Sequence, residues 1–174
     1  MRHAWDVDGL TGEQPFWGRF WELEALTPNQ RDLMIRTRDK VRADLIAFGR
    51  SPQNYSMIHA DMVPENVLVD GDHIRLIDFD DAGYGWHLFE MATSLFFSSA
   101  EEYFDQLVGT YVEGYRSQRT LSDEDLEALP LFMMARATTY LGWSHTRSET
   151  ETAQELTPMI VEMACATAES YLSS

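Results

Sequence analysis

Asp61, Asn66 and Asp78 have side chains and spacing suited to phosphoryl transfer. Asp61 and Asn66 end the segment DMVPEN, in which Pro64 stiffens the backbone, and Asp78 follows an apolar run. An amide oxygen beside a carboxylate is a hard ligand pair of the kind Mg²⁺ prefers. A carboxylate one loop away can accept or orient the proton of an attacking hydroxyl. We therefore expect Asn66 and Asp78 to hold a metal ion and Asp61 to face a hydroxyl.

A β-hairpin is predicted to bring these residues together. The runs 66–70 and 73–79 are rich in β-branched and aliphatic residues and flank Asp70-Gly71, a strong hairpin signal. A hairpin places the start of its first strand near the end of its second, so Asn66 should lie beside Asp78. Asp70 and Asp72 are then turn residues.

The segments around the hairpin are predicted to be helical. A helix should begin after Thr27, because Pro28 suits the first helical position and Gln30 completes a capping box, and it should end at Gly49. Helical spacing returns over residues 86–97, from about residue 99 to 115, and from residue 122, with a break or kink at Pro130. A last helix is expected to start at residues 157–158.

These elements predict one domain over residues 1–174, of mostly α character within the α+β class, with the small hairpin lying on the helices. The first 26 residues are expected to be irregular. Their aromatic cluster, residues 16–21, is interpreted either as core packing or as a surface that faces the substrate or another part of the protein.

The composition excludes some classes of partner. Asp and Glu total 29 against 13 Lys and Arg, a net charge of −16, which disfavours nucleic acid and anionic membranes and leans toward a cationic substrate. Cys165 is the only cysteine, so no internal disulfide can form and a reducing compartment fits. We see no secretory signal and no run of about 20 apolar residues, and expect a soluble, cytoplasmic protein. The sequence does not indicate an oligomeric state.

The stretch from residue 57 to 85 resembles the catalytic region of the aminoglycoside phosphotransferase / choline kinase-like superfamily, which has a protein-kinase-like fold. Its members carry a loop that reads roughly H-G-D-x-x-x-x-N and a metal motif I-D-F-D/G-D-A. Here the loop is HADMVPEN and the second motif is IDFDDA. The spacing of Asp61 and Asn66 is also that of the protein-kinase H-R-D-x-x-x-x-N loop. The D-F-D-D-A form resembles the branch with homoserine-kinase-like and bacterial Ser/Thr-kinase-like members.

The resemblance implies roles for these residues. Asp61 would be the catalytic base or hydroxyl-orienting group, and Asn66 and Asp78 would bind Mg²⁺, with ATP as co-substrate and a hydroxyl of a small molecule, or of a protein Ser or Thr, as acceptor. His59 would brace the loop. Glu90 falls where the family has an Asp that holds the catalytic-loop backbone, and its extra methylene leaves that function open.

Asp80 and Asp81 lie beyond the core of the motif. They are left as substrate-side or supporting groups.

Half of a kinase site is not recognised in the sequence. A kinase needs a Gly-rich loop over the phosphates and a strand lysine paired with a helix glutamate. Lys40 is the only lysine and falls in a predicted helix, and no G-x-G-x-x-G occurs. We therefore expect the helical C-terminal lobe of a longer phosphotransferase. The N-terminal β lobe is absent, so this chain alone should be inactive.

Two other functions remain open. One is a metal-dependent phosphoester hydrolase, in which histidine and carboxylate side chains would form a metal cluster. Here these residues would be His59, Asp61, Asp78, Asp80 and Asp81. A stand-alone lobe without catalysis would instead be a binding module. The plainest interpretation of Asp61, Asn66 and Asp78 is ordinary turn chemistry, since Asp and Asn are common in loops.

Overall fold

The structure is a computed structural model that describes residues 3–173. Helices predominate, as predicted, and two small sheets accompany them. The strands are β1 (Ala4–Trp5), β2 (Tyr55–Ile58), β3 (Val67–Asp70), β4 (His73–Leu76) and β5 (Gly83–Trp86). The helices are α1 (Val7–Thr11), α2 (Pro28–Phe48), α3 (His87–Leu95), α4 (Phe104–Arg116), α5 (Asp123–Leu126), α6 (Leu129–Thr146) and α7 (Glu151–Ser173).

Local signals place α2 and the hairpin correctly. The capping box is formed at Thr27, whose backbone N–H donates to Gln30 Oε1 at 2.9 Å and whose hydroxyl accepts from the Gln30 N–H at 3.3 Å. Gly49 follows the last residue of α2 with a φ of 71°, a conformation in which glycine is favoured. Strands β3 and β4 pair antiparallel with Asp70 opposite His73, so the predicted hairpin is confirmed.

The helix boundaries near residues 99 and 130 can be compared with their predictions. The predicted break at Pro130 is confirmed: α5 ends at Leu126, and Pro130 lies in the first turn of α6, where its missing N–H costs nothing. Helix α4 begins at Phe104 and not near residue 99, because residues 99–103 form turns that follow the 3₁₀ turn Phe96–Ser98.

The predicted start of the last helix is wrong. Helix α7 begins at Glu151 and contains Pro158. Thr150 Oγ1 accepts from the Ala153 N–H at 3.3 Å and so caps the helix about two turns earlier than expected. Pro158 has no N–H to donate to the carbonyl of Gln154, four residues earlier, and the helix continues through it.

A three-stranded sheet in the order β1-β5-β2 was not predicted as a unit. Strand β5 runs parallel to β1 and antiparallel to β2. Strand β5 contains Gly83 and Gly85, and because glycine is depleted in strands, its sequence does not predict a strand. Gly83 is required by packing, because a Cβ there would lie 2.5 Å from the His3 carbonyl oxygen.

Helix α6 lies at the centre of the core and packs on α7, α3 and α2. The aromatic segment before α2 packs onto it: Trp17, Phe20 and Trp21 are buried, which favours core packing for this cluster. Gly142 of α6 allows the close approach, since a Cβ there would lie 3.0 Å from the Trp17 carbonyl oxygen. No helix within residues 3–173 has both the length and the apolar character needed to span a membrane.

Candidate active site

The loop between β2 and β3 brings Asp61 and Asn66 into direct contact. It closes with a 3₁₀ turn over Pro64–Asn66. The Asn66 amide nitrogen donates to the Asp61 carbonyl and to Asp61 Oδ2, each at 2.9 Å. Because Nδ2 is committed to Asp61, the oxygen of the same amide is the group left to face a cation.

Asp78 lies beside Asn66, as the hairpin predicts. The Ile77 N–H, one residue before Asp78, donates to the Asn66 carbonyl at 3.1 Å. Asp78 is exposed and has a φ of 62°, in the left-handed region that non-glycine residues rarely adopt and that is concentrated at functional sites. An amide oxygen and an exposed carboxylate on adjoining residues fit the donor preference of Mg²⁺.

His59 joins the loop to the end of the hairpin. It is 4% exposed, and its Nε2 donates to the Ile77 carbonyl at 2.8 Å. Its Nδ1 accepts from the Asp61 N–H at 3.3 Å, so the hydrogen-bond network assigns the tautomer with the proton on Nε2. Both ring nitrogens are used in bracing. Among residues 3–173, no group of three or more His, Cys, Asp or Glu side chains is arranged to hold a metal ion.

Glu90, in the first turn of α3, holds the loop backbone. Its Oε1 accepts from the His59 N–H and its Oε2 from the Ala60 N–H, each at 2.7 Å. The glutamate side chain is therefore long enough to reach the loop, which its sequence position left open. Burial raises the pKa of Glu90, and the two N–H donors act in the opposite direction.

Comparison with known proteins identifies the family of this chain. Residues 3–131 match the model of the phosphotransferase enzyme family, APH. The chain belongs to this family. The structure is similar to that of a microcompartment-associated aminopropanol kinase, with a TM-score of 0.89 and 32% identity over 99% of this chain and 55% of that one.

Two further relatives of the phosphotransferase family are more distant. A homoserine kinase of Rhizobium johnstonii is 29% identical over 142 residues, which is 78% of this chain and 41% of that protein. The amicoumacin kinase hAmiN, solved with AMP-PNP, Ca²⁺ and Ami, shares the fold with a TM-score of 0.71 and 22% identity over 97% of this chain and 51% of that one. The chain thus spans about half the length of the relatives it matches.

Arg136 of α6 contacts the Asp61 loop, and the sequence analysis did not identify it. It is 0% exposed; Nη1 donates to the Ala60 carbonyl at 3.1 Å and Nη2 approaches Asp61 Oδ1 at 3.4 Å. The rings of Trp17 and Tyr140 surround its guanidinium, with centroids 4.9 and 4.1 Å away. The signal in the sequence was an arginine inside the apolar run LFMMARATTYL.

Asp80 and Asp81 have different environments. Asp80 is exposed. Asp81 is partly buried, and its backbone carbonyl accepts from Trp5 Nε1 at 2.9 Å. Burial, and next the nearby Asp61 carboxylate, raise the pKa of Asp81. Asp81 lines an open cavity together with Trp17 and Arg147.

The hairpin, the segment after it, and strands β2 and β5 expose apolar side chains near the site. We call these residues the hairpin surface: Met57, Leu68, Val69, Ile74, Leu76, Ile77, Phe79 and Tyr84. Val69 and Ile74, a cross-strand pair, are 71% and 70% exposed. A mostly apolar groove of about 320 Å³ runs from this surface past Glu90 to Tyr111 of α4. Contiguous apolar exposure of this kind marks a surface that meets a ligand or another part of a protein.

Proposed function

We propose that this chain is the catalytic and acceptor-side lobe of an ATP-dependent phosphotransferase that phosphorylates a hydroxyl of a small, amine-bearing molecule. The observation that carries the proposal is the hydrogen-bonded unit of Asp61 and Asn66, joined through Ile77 to Asp78. Family membership supports phosphoryl transfer as the reaction class.

In this proposal Asp61 acts on the acceptor hydroxyl. Asn66 fixes Oδ2, and Asp61 remains partly open to the acceptor side, with 26% of its side chain exposed. The hydroxyl oxygen bonds to the γ-phosphorus as its O–H proton passes to the Asp61 carboxylate, and the bond from that phosphorus to the ADP oxygen breaks. Asn66 and Asp78 would hold Mg²⁺, which supplies neutralisation of phosphate charge when bound.

The amine preference rests on charge and on two relatives. The net charge of −16 favours cations. Asp81 and Trp17 line the same open cavity, and a carboxylate together with an indole suits an ammonium group. The aminopropanol kinase and the homoserine kinase are each named for a substrate that carries both an amine and a hydroxyl.

A second, nucleotide-binding lobe is part of the proposal. The hairpin surface is the apolar area that such a lobe would cover, and the matched relatives are about twice the length of this chain. Calorimetry of residues 1–174 with Mg-ATP tests this point. We expect weak binding or none, and micromolar binding would contradict it.

The proposed reaction is tested with the full-length protein that contains this lobe, Mg-ATP and a panel of amino alcohols. Asp61→Ala should lower turnover by about 10²–10⁴-fold, because a positioned proton acceptor is lost. The matched control is Asp70→Ala, which removes an exposed hairpin aspartate. Wild-type turnover in the Asp61 variant would reject the role of Asp61, and no turnover of any amino alcohol by the wild type would reject the substrate class.

A further inference from the structure

Ala60 has an unusual backbone conformation and unusual partners. Its φ is 65° and it is 0% exposed. A residue with a Cβ is disfavoured in the left-handed region, where glycine is at ease. Its N–H donates to Glu90 Oε2 at 2.7 Å, and its carbonyl accepts from Arg136 Nη1 at 3.1 Å. Two charged side chains from α3 and α6 therefore hold this one residue from opposite sides.

The burial of Arg136 at this position has a large cost in free energy. A fully buried cation requires compensation from hydrogen bonds or an opposite charge. Its Nε has no hydrogen-bond partner among the described residues, and its polar contacts with the loop go to Ala60 and Asp61. Its distance along the chain from Ala60 is 76 residues, so the fold has brought it to this loop.

We propose that Arg136 is a positioning residue that holds Ala60 in its strained conformation and thereby aims Asp61 at the acceptor hydroxyl. The proposal rests on the proposed catalytic role of Asp61. Arg136 is fully buried and does not reach the substrate, so it acts through the loop. Its guanidinium supplies two separate donors in a fixed plane, which the single ammonium of lysine does not reproduce.

The first experiment compares the kinetics of three variants with those of the wild type, using the full-length protein that contains this lobe, Mg-ATP and the preferred amino alcohol. Arg136→Met should lower kcat by about 10²-fold with little change in KM, because a small displacement of a reacting group has that effect. Arg136→Lys should lie between Met and wild type. Arg31→Met is the matched control, since Arg31 also donates to a loop carbonyl, that of Trp21 at 2.6 Å, away from the site. It should keep wild-type kcat.

The second comparison tests the strain directly. Ala60→Gly should restore about tenfold of the kcat lost in Arg136→Met, because glycine adopts the left-handed conformation without being held there. The same glycine substitution in the wild-type background should change kcat little. No rescue by glycine, or an equal loss of kcat in the Arg31 and Arg136 variants, would overturn the proposal.

Amide hydrogen exchange in residues 1–174 gives a measurement that does not depend on activity. Arg136→Met should speed exchange at the amides of His59, Ala60 and Asp61, which hydrogen-bond within the site, and Arg31→Met should not. Unchanged exchange at these amides would overturn the proposal even if kcat falls. An inactive wild type would count against the proposed function alone, and exchange would still decide whether Arg136 holds the loop.

Discussion

Replacing Glu90 with alanine should release the catalytic loop. The His59 and Ala60 amides would each lose a carboxylate acceptor at 2.7 Å, and both residues are buried. An unsatisfied buried donor costs about 1–3 kcal/mol, so two cost about 2–6 kcal/mol. The groove beside Glu90 admits water, and removing a partly buried carboxylate returns its desolvation cost. A net loss of about 3 kcal/mol in unfolding free energy follows.

Urea unfolding measures this loss, and thermal unfolding should show a decrease in Tm of about 6–12 °C for a chain of this size. Glu90→Gln should destabilise by a similar amount, because an amide offers one acceptor and places its N–H₂ against the second N–H donor. The control is Glu162→Ala on the exposed face of α7, with an expected change within about 0.5 kcal/mol. If Glu90→Ala also falls within about 0.5 kcal/mol and leaves exchange at both amides unchanged, the carboxylate does not hold the loop.

Two further predictions concern pH and the hairpin surface. Burial, and next Arg119, lower the pKa of His87 from 6.5, and its Nε2 lies 2.7 Å from Ser56 Oγ. The contribution of His87 to stability should be complete above pH 6.5 and lost as the pH falls through its lower folded-state pKa. The unfolding free energy, measured with urea across this range, should therefore depend less on pH in His87→Gln than in the wild type. The same pH dependence in both proteins would refute this prediction. The double variant Val69→Thr with Ile74→Thr should change the unfolding free energy of residues 1–174 by less than about 1 kcal/mol, since both side chains are exposed. Phe132→Ala, in the buried core, should instead lower the unfolding free energy by about 3–5 kcal/mol. A large loss in the hairpin variant would show that the hairpin surface is buried in solution.

Local patterns in the sequence predicted the parts of the site that are close in sequence. The Asp70-Gly71 turn fixes the hairpin, and the hairpin sets Asn66 beside Asp78. The sequence did not predict that Asn66 also donates to Asp61, because the path of a loop through a 3₁₀ turn leaves no periodic pattern.

Contacts between distant segments could not be predicted in the same way. Whether Glu90 reaches the loop depends on how α3 meets β2, and a difference of one methylene cannot be judged from spacing. Arg136 lies 75 residues from Asp61 along the chain, and no pattern in the sequence around Arg136 indicates that the two residues are in contact. Helix α7 shows the opposite limit, since a strong local signal at Pro158 was overridden by capping at Thr150.

Ile77 has a consequence for communication across the site. Its N–H is bound to Asn66 and its carbonyl to His59, and Asp78 is the next residue. Helices α3 and α6 anchor the Asp61 loop, whereas β4 and the segment to Asp80 are exposed to solvent. Ile77 therefore links the Asp61 loop, which α3 and α6 hold, to the solvent-exposed segment that carries Asp78. Under the proposed function, if a ligand at Asp78 changes the affinity for an acceptor at Asp61, the acceptor changes the affinity at Asp78 by the same factor, because such coupling is reciprocal.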